Sequence, residues 1–316
     1  MDADLQVFTG TANPLLANQI CDDLGVPIGS STVTTFPNGE TRVRIEENVR
    51  GLDVFVVQSL CTPVNDHLMQ LLILIDALKR ASADRITAII PYFGYARQEK
   101  KTAGREPITA KLVANLIQTS GADRIVTMDL HAPAIEGFFD IPVDHLRSAG
   151  LLAQQAREYT NQDGLVVGSA DAGGVARAED FGRRVAADDI FVTFKQRVTP
   201  EEVRPLSLVG KVEGRIAILV DDIVSTGSSL ISASQLLLER GAREIHACAV
   251  HADFNSEVTE LIEKSTLASL LITDTIPVSL PSHGSGSKIK LCTTSTLFSE
   301  TIRRIHMHES VSALFS

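Results

Sequence analysis

Ile216-Ala217-Ile218-Leu219-Val220-Asp221-Asp222-Ile223-Val224-Ser225-Thr226-Gly227-Ser228-Ser229 changes character twice within a short span. The opening aliphatic run reads as a strand buried on both faces, as in a parallel sheet covered by helices. Two carboxylates follow, and then a Gly and hydroxyl cluster leads into a helical segment, Leu230 to Leu238. In an open parallel sheet ligands bind at the carboxyl ends of the strands, which puts Asp221 and Asp222 at a site rather than in the core. Backbone N–H groups at the helix start, with the hydroxyls of Thr226, Ser228 and Ser229, can cradle a phosphate dianion, and Gly227 lets the backbone approach closely. The carboxylates cannot share that phosphate directly. They suit neutral hydroxyls, as acceptors, or a metal that bridges to oxygen. A plain helix cap needs one such residue, whereas this loop supplies a set. The Gly-x-x-x-x-Gly-Lys pattern of a Walker loop is absent, which disfavours an ordinary P-loop ATPase.

The strand-to-helix rhythm continues in both directions, so the class is α/β, with parallel-type sheets flanked by helices. Leu5-Gln6-Val7-Phe8 reads as a strand, Asn13-Pro14 as a cap and first helical residue, and Gly25 as the stop. Strands are expected at Asp53 to Gln58, Arg85 to Pro91 and Arg124 to Leu130. More are expected near Leu165 to Gly168, Ile190 to Phe194, Arg215 to Val220, Glu244 to Val250 and Leu270 to Thr273. A helix from Val64 to Ala83, opened by Pro63, carries an apolar face through Leu68, Leu71, Leu72, Ile75 and Leu78. Gly121-Ala122-Asp123-Arg124-Ile125 leading to His131-Ala132 recurs as Gly241-Ala242-Arg243-Glu244-Ile245 leading to His251-Ala252. The spacing points to two related domains, 1–146 and 147–316, with the boundary near Asp144 to Gly150. A shared helix-turn-strand solution would give the same short match. Pro281 to Lys288 reads as an exposed loop, and the last helix, Ser295 to His306, is expected to pack back onto the body.

At 316 residues the chain can fill two cores of about 150 residues each. Its formal net charge of -10 opposes a sequence-blind grip on nucleic acid, so any phosphate binding is local. No apolar run of about 18 residues occurs, and Met1-Asp2-Ala3-Asp4 lacks the basic start of a secretory signal. The expected location is cytoplasmic, with no membrane partner. Cys21, Cys61, Cys248 and Cys292 lack metal-ligand spacing and fit reduced thiols.

A second informative loop, Tyr92-Phe93-Gly94-Tyr95-Ala96-Arg97-Gln98-Glu99-Lys100-Lys101, follows a buried strand and ends in Arg105-Glu106-Pro107-Ile108-Thr109, where a helix begins. A basic, aromatic, Gly-containing loop is suited to closing over a polyphosphate, although a solvated surface loop has the same composition. The Asp221 to Ser229 stretch resembles the phosphoribosyl diphosphate motif of the type I phosphoribosyltransferase fold, which does not say whether the activated sugar is made or consumed. Further segments, in order, resemble the ribose-phosphate diphosphokinase (phosphoribosyl diphosphate synthetase) family. They are Phe36-Pro37-Asn38-Gly39-Glu40, Asp76-Ala77-Leu78-Lys79-Arg80-Ala81-Ser82-Ala83, Tyr95-Ala96-Arg97-Gln98 and Asp129-Leu130-His131-Ala132.

That resemblance implies transfer of a diphosphoryl group from ATP to ribose 5-phosphate with Mg²⁺. It implies that Phe36 stacks on adenine while Asn38 and Glu40 read its edge, from a loop belonging to a neighbouring subunit. Arg97 and Gln98 would hold the ATP phosphates, and Lys100, Lys101 and Arg105 would belong to a lid. His131 would contact metal-bound ATP, and Asp171 would take part in metal and sugar binding. Asp221, Asp222, Ser225, Thr226, Gly227, Ser228 and Ser229 would hold ribose 5-phosphate. Lys195 and Arg197 would stabilise the transferring group, whose negative charge spreads over oxygens that fixed cations can neutralise. The resemblance also implies self-association as a homohexamer built from dimers. The chain departs from the family pattern at Ala134, Glu136, Ala170, Gln196 and Ser225. These departures motivate one rival, a weakly catalytic regulatory paralogue. A phosphoribosyltransferase that consumes the product is the other, but it would not require the Phe36 to Glu40 segment.

If its charge acts mainly in the transition state, replacing Lys195 with Ala is expected to lower turnover by orders of magnitude while changing ATP affinity much less. Parallel losses in kcat and in ATP affinity would contradict that role.

Overall fold

The computed structural model describes residues 4–157, 164–194, 207–279 and 286–315. The chain divides into two compact units, Met1–Arg147 with Thr275–Pro277 and Thr293–Ser316, and Ser148–Asp274 with Val278–Cys292. The first unit runs β1 (Leu5–Thr9), α1 (Pro14–Leu24), β2 (Ser31–Thr35), β3 (Thr41–Ile45), β4 (Asp53–Val57) and α2 (Val64–Arg80). It continues with β5 (Arg85–Ile90), α3 (Thr109–Ser120), β6 (Arg124–Met128) and β7 (Val143–Leu146). Its main sheet has the order β1-β4-β5-β6-β7, with every pair parallel. Four of the five β4 residues are buried, as a strand covered on both faces requires. α1 starts where Asn13 Oδ1 accepts from Leu16 N at 3.3 Å and stops at Gly25, whose φ of 71° suits a residue without Cβ. α2 buries Leu68, Leu71, Ile75 and Leu78 and ends at Arg80, three residues before the expected Ala83.

β2 and β3 pair antiparallel as a separate hairpin. Periodicity gives no warning of it. Ser-Thr-Val-Thr-Thr and Thr-Arg-Val-Arg-Ile alternate, but the inward residues, Val33, Val43 and Ile45 with Ser31 and Thr41, are only half-buried and too few to stand out along the chain.

The second unit runs α4 (Ala149–Gln155), β8 (Leu165–Ser169), α5 (Val175–Arg184), β9 (Asp189–Phe194), β10 (Ser207–Val209) and β11 (Ile216–Val224). α6 (Ser228–Glu239), β12 (Glu244–Ala252), α7 (Ser256–Glu263), β13 (Ser269–Thr273) and β14 (Ile289–Cys292) follow. The sheet order is β10-β9-β8-β11-β12-β13-β14, parallel throughout except for β10 at one edge. The sequence match around Gly121 and Gly241 falls on the same helix-to-strand turn in each unit, α3 into β6 and α6 into β12. Gly121 and Gly241 have φ of 116° and 83°, and Ala122 and Ala242 are both buried. Asp123 N donates to Ile86 O and Arg243 N to Arg215 O, each at 2.8 Å, so each turn hooks onto the start of the preceding strand in the same way.

The closing helix α8 (Ser295–His306) belongs to the first unit, a correction to the expected 147–316 domain. Its buried stripe of Phe298, Ile302 and Ile305 packs with α1. Its last turn is tied to the sheet, with His306 Nδ1 2.8 Å from Asp53 Oδ2 and Arg85 Nη2 donating to Ile305 O at 3.1 Å. Among the described residues no helix is long and apolar enough to cross a membrane.

Phe298 is fully buried on α8. Its replacement by Ala is expected to cost about 3–5 kcal/mol, read as a lowered urea midpoint for the first unit. A midpoint unchanged within error would show that α8 does not stabilise that unit.

Candidate functional site

In the second unit, β11 is longer than expected and carries both aspartates within the strand. Its pairing with β8 ends at Leu219 opposite Gly168, whereas its pairing with β12 continues to Val224 opposite Ala252. Beyond Leu219 the strand therefore has a ladder partner on one side only among the described residues. Asp221 is half-buried and Asp222 buried. Arg177 from α5 brings Nη1 to 3.8 Å from Asp221 Oδ1 and 3.5 Å from Asp222 Oδ1. Burial, and after it the Asp222 carboxyl, pushes the Asp221 carboxyl up to about 7, against the pull of Arg177. A carboxyl raised in this way takes up a proton more readily than a free one, and in its protonated form it can donate to as well as accept from a hydroxyl.

Ser225, Thr226 and Gly227 turn the chain into α6. Gly227 occupies the N-cap position with φ 70°, and a Cβ there would lie 3.3 Å from Val258 Cγ1. Having no side chain, Gly227 makes no side-chain cap of its own at the helix start, the kind of backbone terminus that can receive an anion. Thr226 Oγ1 and Ser228 Oγ stand 3.0 Å apart at this mouth. Asp171 follows β8 and caps the next turn, its Oδ1 accepting from Gly174 N at 3.1 Å. That turn, Ala172–Gly174, contacts β11. Lys195 and Arg197 lie outside the described residues.

In the first unit the loop after β5 has an anchored start and an exposed end. Phe93 is buried, and a Cβ on Gly94 would come within 2.5 Å of Leu60 O, so only Gly fits that approach. Tyr95 takes a φ of 64° and donates its hydroxyl to Asn65 Oδ1. Gln98 Oε1 accepts from Thr109 Oγ1 at 2.6 Å, which turns the amide NH₂ away from α3. Arg97 and Gln98 are exposed and line a cavity of about 570 Å³ with Asn65, Asp66, Tyr92 and Tyr95. Lys100, Lys101 and Arg105 are all exposed, and Lys100 Nζ stands 3.1 Å from Glu99 Oε1. Glu106 Oε2 gathers Thr102 N, Thr102 Oγ1 and Ala103 N at 2.7–2.8 Å, folding the loop back on itself.

Phe36, Asn38 and Glu40 sit together at the exposed tip of the β2–β3 hairpin. The Arg42 guanidinium lies 5.7 Å from the Phe36 ring centroid, and Asn38 Oδ1 accepts from Glu40 N at 3.2 Å. Phe36 is 44% exposed, unusually open for an aromatic side chain and suited to stacking on a planar group. His131 is exposed, two residues past a turn at Asp129 with φ 38°.

Among the described residues no group of three or more His, Cys, Asp or Glu forms a metal cage. This donor set fits a hard cation held by one or two side chains, with phosphate oxygens and water completing the shell. Sequence reading missed Arg177, one of three arginines on a strongly charged helix, Val-Ala-Arg-Ala-Glu-Asp-Phe-Gly-Arg-Arg. Pattern alone does not separate it from a solvated face.

Residues 5–121 match the family model for the N-terminal domain of ribose phosphate pyrophosphokinase, and residues 177–316 the model for the phosphoribosyl synthetase-associated domain. Over 314 residues the chain is 46% identical to a ribose-phosphate pyrophosphokinase of Oceanobacillus iheyensis, covering 99% of this chain and 98% of that protein. A ribose-phosphate pyrophosphokinase of Bacillus subtilis is 44% identical over 315 residues, covering 100% and 98%. The crystal structure of phosphoribosylpyrophosphate synthetase from Mycobacterium smegmatis aligns with a TM-score of 0.90 at 40% identity, over 96% of this chain and 99% of that one.

An acid whose folded pKa is raised favours the folded state at low pH. Here that contribution is lost as pH rises from the ordinary carboxylate value of 3.8 towards about 7. Replacing Arg177 with Met removes the cation that opposes this shift, so the carboxyl titration of the pair should move further above 7. Carbon NMR of labelled Asp side chains checks it, and a midpoint that stays put or falls would show that Arg177 does not act on the pair.

Proposed function

The chain belongs to the ribose-phosphate pyrophosphokinase family, and from that premise we propose that it transfers the diphosphoryl group of ATP to the C1 hydroxyl of ribose 5-phosphate. The products are 5-phosphoribosyl 1-diphosphate, for nucleotide biosynthesis, and AMP. The observation that carries the reading is the β11–α6 turn, where the half-buried Asp221 and buried Asp222 stand on a strand that is followed by two residues of loop and a glycine N-cap at a helix start. The 5-phosphate takes the amides of that start with the hydroxyls of Ser225, Thr226, Ser228 and Ser229, and Gly227 admits it closely. Asp221 and Asp222 then hold the ring hydroxyls, and Asp171 assists them.

For ATP, Phe36 stacks on the base and Asn38 and Glu40 read its edge. Arg97 and the Gln98 amide hold phosphate oxygens, while Lys100, Lys101 and Arg105 close over them. A divalent ion, Mg²⁺ in our reading, would be held by His131, Asp171 and the phosphates, and would supply positive charge to the triphosphate. In the reaction the C1 oxygen forms a bond to the β-phosphorus and the bond from that phosphorus to the α-bridging oxygen breaks. AMP leaves and the hydroxyl proton is released. A loose transition state demands little base assistance, so positioning and charge, with Lys195 and Arg197 as the cations, do most of the catalysis. We also propose a cytoplasmic homohexamer in which the hairpin tip serves a neighbouring subunit.

AMP release that depends on both ribose 5-phosphate and ATP tests the reaction. A requirement for a nucleobase instead would point to a phosphoribosyltransferase, and no release would point to a regulatory paralogue. Replacing Asp222 with Asn should raise the KM for ribose 5-phosphate about 10- to 100-fold, the worth of a charged hydrogen bond, and change the KM for ATP much less. An unchanged KM for the sugar would remove Asp222 from its site.

A further inference from the structure

Glu136 departs from the family pattern, yet the structure gives it a definite partner. It lies in a 3₁₀ turn, Pro133–Phe138, between β6 and β7, and its Oε1 meets His145 Nδ1. The His145 side chain is 3% exposed, and its other nitrogen, Nε2, stands 2.8 Å from Leu130 N. A carboxylate can only accept a hydrogen bond and a backbone amide can only donate one. The two contacts therefore select a single form of the ring, the neutral tautomer with its proton on Nδ1. The opposite tautomer, and the imidazolium, would set N–H against N–H at Leu130. The charged groups that face the ring are Glu136, Arg147 and Asp129, with Arg147 Nη2 3.7 Å from Glu136 Oε1. Burial first, and Arg147 next, hold the imidazole below its ordinary pKa, in keeping with a neutral ring.

Leu130 belongs to the turn that ends β6. Asp129, in the left-handed region at φ 38°, donates its amide to Leu146 O at 3.0 Å, and Leu130 donates to the His145 ring. Two successive amides of a strained turn are thus tied to β7, one through backbone and one through a side chain. His131 is the next residue. We propose that Glu136 and His145 are positioning residues for the nucleotide: Glu136 fixes the His145 tautomer, His145 fixes the Leu130 amide, and the turn holds His131 where it meets ATP. The proposal rests on the reading of His131 as an ATP contact.

The test uses the full chain, with Glu136→Leu to remove the acceptor and Glu136→Gln to keep an amide oxygen in its place. Glu136 is partly exposed, so both variants should fold, and His145→Phe serves as a second, apolar probe of the ring. ATP affinity by calorimetry and KM values for both substrates are the functional readouts, and nitrogen NMR of His145 is the direct one. Glu136→Leu should weaken ATP binding about five- to tenfold, the worth of one hydrogen bond. Ribose 5-phosphate KM and melting temperature should stay near the wild-type values. Glu136→Gln should recover most of the loss, and the nitrogen shifts of a protonated Nδ1 beside an unprotonated Nε2 should persist in Glu136→Gln and disappear in Glu136→Leu. The proposal is overturned by unchanged ATP affinity in both Glu136→Leu and His145→Phe. It is also overturned by equal losses for both substrates together with stability, or by a wild-type ring protonated on Nε2. A wild-type chain that binds ATP but releases no AMP overturns the proposed reaction instead, and the ATP affinities of the variants still decide this point.

Discussion

Beyond Leu219, strand β11 keeps β12 and leaves β8 behind, and this one-sided continuation is the constraint on which the second unit's site depends. Over Ile216–Leu219, where β11 is paired on both sides, its side chains are apolar and buried. A strand paired on one side can bring carboxylates to the sheet's end while still held rigidly by its remaining ladder. Burial, and after it the Asp222 carboxyl, raises the Asp221 carboxyl. Arg177 limits the cost. Without a cation, two carboxylates at adjacent positions in a half-buried setting would either take up a proton outright or push the strand end into solvent.

The site in the first unit is built on the opposite principle. Its loop is anchored at the start by Phe93 and by the close passage of Gly94 past Leu60, and then becomes exposed through the cationic stretch. Glu106 gathers three donors from Thr102 and Ala103, so the segment has a compact form of its own without being packed into the core. A group that must reach a polyphosphate and then release it is better served by a small local network than by burial. Opening such a network breaks a few hydrogen bonds and exposes no apolar surface.

The sequence was most legible where one residue type has one physical use. Asn13 and Gly25 bound α1 as expected, the Gly-Ala pairs mark the two equivalent turns, and the Gly227 turn opens its helix within two residues of the expected start. It was least legible where contacts come from distant segments. The β2–β3 hairpin carries a period of two, but only over five residues a strand and with half-buried inward side chains, too short and too polar a signal to stand out. Arg177 is indistinguishable along the chain from Arg183 and Arg184, and only the fold shows that it alone faces the aspartates. The membership of α8 was hidden for a similar reason. Its apolar stripe says that it packs, but the side chains that say where, Asp53 and Arg85, lie some two hundred positions earlier.

Glu136 shows how far a departure from a family pattern can mislead when judged by charge alone. An added carboxylate near phosphate-binding elements looks harmful on Coulombic grounds. Here it is met by the His145 ring and by Arg147, so much of its charge is directed into the protein rather than towards a ligand. A neutral amide at that position could also accept from Nδ1, but it can present either its oxygen or its NH₂, so its own orientation has to be set by the ring that Leu130 N holds at Nε2. A carboxylate presents acceptors only. The substitution exchanges a permissive contact for a directional one, and the strained turn at Asp129, whose amide and that of Leu130 are both tied to β7, is the element that gains from the exchange.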